Sequence, residues 1–142
     1  MSLHAFKMGV NVVSFIKNNK MYGMSCAWAS QVGYEEIILT IGSQSVTGKV
    51  LEIGDVIGVS ALNSEQEHIA MQFGTSHSDT SDKFKGIDFV IDGSAILINN
   101  ASRMMKVEVI DIMHLKGIEE DNVVYCKVLS SIENGNDFYE YK

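Results

Sequence analysis

The sequence predicts a mainly β protein, an antiparallel barrel carrying two or so short helices, and three observations support that expectation. Apolar residues alternate with period 2 over most of the 142 residues, as they do in strands with one buried face. Glycine, asparagine and serine punctuate most of the gaps between these segments, which marks turns. Only two stretches switch to a helical period. Seven strands read in this way suit a closed or partly closed sheet, because closure removes exposed edges. The length fits one domain over residues 1–142.

Taken in order, residues 9–17 (GVNVVSFIK) lead through Asn18-Asn19-Lys20 into an extended run over residues 21–32, a hairpin pattern. Residues 36–42 (EIILTIG), 55–62 (DVIGVSAL), 94–99 (SAILIN), 105–114 (MKVEVIDIMH) and 122–132 (NVVYCKVLSSI) add five strands. In Ser64-Glu65-Gln66-Glu67 the spacing is that of a capping box, with Ser64 and Glu67 as reciprocal partners, and Ile69, Ala70 and Phe73 follow on one helical face before Gly74. A second helix is expected over residues 46–53, with Ser45 as its cap, Val46, Val50 and Ile53 on one face and Gly54 at its end. The polar residues 75–82 (TSHSDTSD) read as a solvated loop.

Composition excludes several classes of function. With 46% hydrophobic and 20% charged residues the chain can bury a core, and no apolar run approaches the roughly 20 residues of a membrane span. The first residues lack the long apolar stretch of a secretory signal, so the expected location is the cytoplasm. A formal net charge of −7 and a single arginine, Arg103, argue against a nucleic-acid partner. Cys26 and Cys126 lie in separate apolar stretches and read as buried thiols. His4, His68, His77 and His114 have no zinc-ligand spacing, so no metal is implied.

Two segments carry possible chemistry. Gly42-Ser43-Gln44-Ser45-Val46-Thr47-Gly48-Lys49 ends a strand and opens a helix, and it combines three hydroxyls with a lysine and two glycines. Such a turn suits a phosphate, and it equally suits plain helix capping. It is not a Walker loop, since Val50 follows the lysine where Ser or Thr is required. In residues 22–32 (YGMSCAWASQV) small residues interleave with Met24 and Trp28. Small residues in a strand mark the close approach of a ligand or another backbone, and the alternative is a core strand anchored by Trp28.

The second of these segments resembles the N-G-M-T-A-S-W-x-[ST]-Q-V run of the flavin reductase-like, FMN-binding split-barrel family. Residues 41–47 resemble the family's I-N-x-S-S-x-T, with Ser45 and Thr47 matching and Gly42 and Gln44 differing. Residues 58–67, then Ile69-Ala70 and Phe73-Gly74, are similar to its F-x-V-N-V-L-S-x-E-Q-x-x-L-A-x-x-F stretch, and Lys83-Phe84 stands where a K-F pair is common. The resemblance spans roughly residues 9–128.

It implies a six-stranded Greek-key split barrel that forms a homodimer, with FMN near the subunit interface and chemistry supplied by the flavin. Carried onto this chain, Ser25, Cys26, Ala27, Trp28, Ala29 and Ser30 become ring neighbours, and Ser45, Thr47 and Lys49 become phosphate ligands. The implied activity is electron transfer through FMN, as a flavin reductase using NADH or NADPH or as a carrier serving a redox partner protein. The alternative is a non-catalytic flavin-binding module. One departure bears on mechanism: two-component reductases of the family carry Gly-Asp-His near the final strand, whereas Glu120-Asp121-Asn122 stands here. Asn122 keeps a donor and lacks the histidine's charge, so slow direct reduction by NADH is expected.

Overall fold

The computed structural model describes residues 3–75 and 83–141, which leaves most of the predicted loop 75–82 outside the described residues. Its elements run β1 (Asn11–Lys17), β2 (Lys20–Cys26), β3 (Ala29–Gln31), β4 (Glu36–Gly42), α1 (Val46–Val50), β5 (Val56–Ala61), α2 (Glu67–Thr75), β6 (Phe89–Asp92), β7 (Ala95–Ile98), β8 (Arg103–Met113) and β9 (Asp121–Glu133). All strand pairs are antiparallel, in the order β3-β4-β9-β8-β5-β1-β7-β6, with β2 added on β1. Mainly β with two short helices is therefore correct. The sheet curls as a split barrel and does not close by hydrogen bonds, because among the described residues β2 pairs only with β1 and β3 only with β4. No helix among the described residues is long and apolar enough to cross a membrane.

The β1–β2 hairpin follows from its loop. Asn18 and Asn19 take φ of 53° and 63°, the left-handed pair that a two-residue type I′ turn needs and that asparagine tolerates. Strand β1 is buried on both faces, which is why it reads as an almost unbroken apolar run. Val13 and Phe15 enter the barrel core with Leu39, Ile41, Ile57, Val59 and Val107. Val12 joins a second cluster outside the sheet, where Ile69, Ala70 and Phe73 of α2 pack on Ile96, Ile98 and Phe84.

Four expectations need correction. The run 21–32 is two strands: the Ala29 amide bonds the Ala27 carbonyl at 3.1 Å and the Thr40 amide bonds the Trp28 carbonyl at 2.8 Å, so the chain leaves β1 and joins β4. That turn puts Trp28 at 61% exposure and removes it from the core. The second helix stops at Val50 and leaves Ile53 in solvent, because Lys17, Asp55 and the Val109 backbone capture the following turn. The capping residues of α2 shift by one: Gln66 Oε1 accepts the Asn63 amide at 3.0 Å and Asn63 Oδ1 accepts the Glu65 amide at 2.9 Å, while Ser64 donates to Asp137. Strand β6 is additional to the sequence reading, joined to β7 by a Gly93-Ser94 loop in which Gly93 has φ of 66°.

Candidate functional site

Both faces of β2 are covered. Tyr22 and Cys26 are buried and join the barrel core, with half-buried Met24 packed against it. On the other face a Cβ at Gly23 would stand 2.6 Å from the Phe73 ring, and Ser25 Oγ donates to the Ala70 carbonyl at 2.7 Å, so α2 lies flat on that side. What remains open among the described residues is an edge. Lys17 and Lys20 close a two-residue loop and exchange both ladder bonds, and in an antiparallel pair such exchanges alternate. Gly23 and Ser25, opposite Ser14 and Val12, therefore turn their peptide groups away from β1, towards the split in the barrel.

Helix α1 borders this edge. Ser45 Oγ lies 3.8 Å from Met24 Sδ, accepts the Gly48 amide at 2.9 Å and donates to the Gly42 carbonyl at 2.7 Å. Its one proton is committed, as the capping reading anticipated. Thr47 differs: the residue is 2% exposed, yet its hydroxyl pairs with no described residue and, since no buried side-chain oxygen among the described residues lacks a partner, that oxygen reaches solvent. Lys49 is exposed on the same helix, with no ion pair among the described residues. Gly48 is required because a Cβ would collide with the Gly42 carbonyl, so α1 and the end of β4 are in backbone contact.

The remaining predicted residues lie where the chain crosses from β2 to β3. Ala27 is half-buried, and Trp28, Ala29 and Ser30 are exposed. Trp28 adjoins Thr40, two residues before Gly42 and hence roughly 7 Å along β4. That brings the exposed crossing to within two residues of the end of β4, after which the chain turns into α1. The Cys26 thiol is not exposed there. It points into the core within 3.5 Å of the Trp28 and Thr40 carbonyls, and burial pushes it up to about 11. Cys126 is likewise buried, pushed up to about 12. A cavity of about 670 Å³ has Asn11, Ala27, Ala29, Leu39, Arg103 and Val128 in its wall. It shares Ala27, Ala29 and Ser30 with the predicted set and none of Ser45, Thr47 or Lys49.

Asn122 occupies a position its sequence role did not anticipate. It is 7% exposed, and its Nδ2 donates to the Gly48 carbonyl at 3.2 Å, tying β9 to α1. Asn122→Ala is expected to cost about 1–3 kcal/mol, since it leaves that carbonyl without its partner, and thermal unfolding measures the loss. The sequence reading also passed over Gly23 and Lys83 as site residues. Lys83 Nζ donates to the Gly23 carbonyl at 3.1 Å, on the open edge itself. The Lys83-Phe84 pair was the available signal.

An open, curled antiparallel sheet with a short capped helix beside a strand edge has the architecture of a split barrel. Residues 3–141 match the flavin reductase like domain, and the chain belongs to that family. No curated protein matches. Among solved structures, the NADH:FAD oxidoreductase SgcE6 of Streptomyces globisporus C-1027 is similar at 22% identity and a TM-score of 0.80, covering 90% of this chain and 76% of that one. The nitrilotriacetate monooxygenase component B of Mycobacterium thermoresistibile is similar at 22% identity and 0.77, over 90% and 70% of the two chains. An FMN-binding protein from Thermus thermophilus, crystallised with 1-cyclohex-2-enone, gives 12% and 0.79 over 92% and 73%. These three likenesses show the fold, and the family match carries flavin-related redox function.

Proposed function

We propose that this protein binds FMN along the open edge of β2 and passes electrons through it. The observation that carries the reading is that both faces of β2 are covered while the peptide groups of Gly23 and Ser25 face the split, next to α1. Peptide donors and acceptors at that edge suit the polar rim of an isoalloxazine ring, and the crossing at Ala27, Trp28, Ala29 and Ser30 leaves room beside it. Thr47, whose hydroxyl reaches solvent and has no partner among the described residues, is the hydroxyl best placed to donate to the phosphate, with Lys49 adding charge. Ser25 serves through its backbone, since its hydroxyl is bound to α2, whereas Cys26 has its thiol in the core and, by the same alternation, its peptide groups turned to β1. Ser45 holds the helix that presents Thr47.

When bound, FMN supplies the two-electron chemistry, and the chain fixes its position and surroundings. Asn122 favours a carrier over a reductase that takes hydride directly, because its amide is committed to Gly48 and offers no cationic donor to a nicotinamide. A redox partner protein then supplies or removes the electrons. Equilibrium dialysis is expected to give FMN uptake at tens of micromolar or below, roughly −6 to −7 kcal/mol. Stopped-flow mixing should show slow reduction of the bound FMN by NADH and complete reduction by dithionite. No uptake in that range rejects the reading, and rapid NADH oxidation returns it to an ordinary flavin reductase.

We further propose a homodimer, with the flavin site near the two-fold interface. Trp28, Val32 and Tyr34, at 61%, 53% and 101% exposure, flank β3 on this side of the chain, and aromatic residues of this kind are enriched at interfaces. Light scattering should read about 31 kDa, twice the 15.7 kDa chain. A monomer that binds FMN would remove the partner from the site.

A further inference from the structure

Lys83 is 8% exposed, and its ammonium makes two hydrogen bonds, to the Gly23 carbonyl at 3.1 Å and the Phe73 carbonyl at 3.3 Å. No carboxylate lies within 4 Å of it among the described residues. Burial lowers its pKa for want of such a partner. The Phe73 carbonyl belongs to the last turn of α2, whose partial negative charge offsets part of the cost. Among the described residues the ammonium is paired with carbonyls alone, so no opposite charge among them cancels its own, and one of its three donors has no partner there. The hairpin alternation that turns the Gly23 carbonyl away from β1 places this ammonium on the open edge of β2.

We propose that Lys83 sets the redox potential of the bound flavin, its ammonium at the β2 edge stabilising the negative charge that the isoalloxazine ring gains on reduction. The inference rests on the FMN reading above. Dithionite delivers two electrons and water one proton, which leaves one negative charge on the ring. A fixed cation in a low-dielectric site favours that form over the neutral oxidised ring. A contact to the phosphate would act differently, strengthening FMN over riboflavin in both oxidation states alike.

Lys83→Gln keeps a donor for the Gly23 carbonyl and removes the charge, and Lys83→Arg keeps the charge. Dithionite titration against reference dyes should place the midpoint potential of FMN in Lys83→Gln about 30 mV lower, a tenfold loss of preference for the reduced form. Lys83→Arg should leave it in place, and the ratio of FMN to riboflavin affinity should not move in either variant. Should Lys83→Gln fail to fold, the unaltered protein decides: reduced FMN is expected to bind at least tenfold tighter than the oxidised form, and equal affinity overturns the proposal. Flavin bound at an unmoved potential, or a loss confined to FMN, overturns this inference alone. A protein that takes up no flavin overturns the FMN reading and this inference with it.

Discussion

Gly58→Ala is expected to destabilise the protein by roughly 3 kcal/mol or more, at the upper end of what overpacking costs. In a chain of this size that is a melting point about 10 °C lower. The reason is a backbone crossing. Strand β7 runs over β5 so closely that a Cβ at Gly58 would collide with the Ile96 carbonyl, a group with no torsion of its own to yield. Nor can Ile96 retreat, because three serines hold β7 to its neighbours. Ser14 Oγ donates to the Ile96 carbonyl at 2.8 Å, the Ile98 amide donates to Ser60 Oγ at 2.9 Å, and Ser94 Oγ donates to the Val56 carbonyl at 2.6 Å. Ser14 and Ser60 are fully buried, so moving the strand would orphan polar groups as well as open space. Gly42→Ala is the control, since its Cβ would meet only Asp121 Oδ1 at 3.9 Å. Thermal denaturation of the two variants side by side checks the account, and a Gly58→Ala protein melting with the control would show that β7 is loosely held.

Those serines also mark the limit of what the sequence could yield. Strand β4 was legible because one face is more deeply buried than the other, and alternation records that directly. Strand β6 was not, because Val90 and Ile91 are 42% and 52% exposed and the edge position leaves no clean alternation. Its loop, Gly93-Ser94, was a readable hairpin signal that went unused. The break at Trp28 is invisible to periodicity, since an extended pattern continues on both sides while the hydrogen-bond partner changes from β1 to β4. At the start of α2 the expected Ser64–Glu67 pairing gives way to Asn63 and Gln66, while Asp137, distant in the chain, engages Ser64.

The candidate site divides in the same way. The segments around Trp28 and Thr47 were visible as local runs of small and hydroxyl residues. Their position relative to the β2 edge depends on the parity of a hairpin and on α2 covering one face of β2, both of which are tertiary facts. Lys83 illustrates the cost of a local reading: a lysine beside a polar loop reads as solvated, and only the end of α2 and the Gly23 carbonyl reveal it as buried.

At the ligand, the largest effect is expected from Thr47→Val, which should weaken FMN about 10- to 100-fold while leaving riboflavin within roughly twofold. A hydroxyl donated to a charged phosphate is worth about 1.5–3 kcal/mol, and riboflavin has no phosphate to lose. The substitution is close in shape, and in the free protein the Thr47 hydroxyl has no partner among the described residues, so its removal orphans nothing and the melting point should hold. Ser45→Ala separates the seat from the ligand contact. It removes the acceptor for the Gly48 amide and the donor to the Gly42 carbonyl, costing about 1 kcal/mol of stability as a lost cap does. Its effect on FMN should follow from a displaced α1 and scale with that loss of stability. Isothermal titration of both ligands against both variants resolves the two roles. Equal losses of FMN and riboflavin in Thr47→Val, at an unchanged melting point, would place the phosphate elsewhere on the β2 edge and leave Thr47 with no part in holding it.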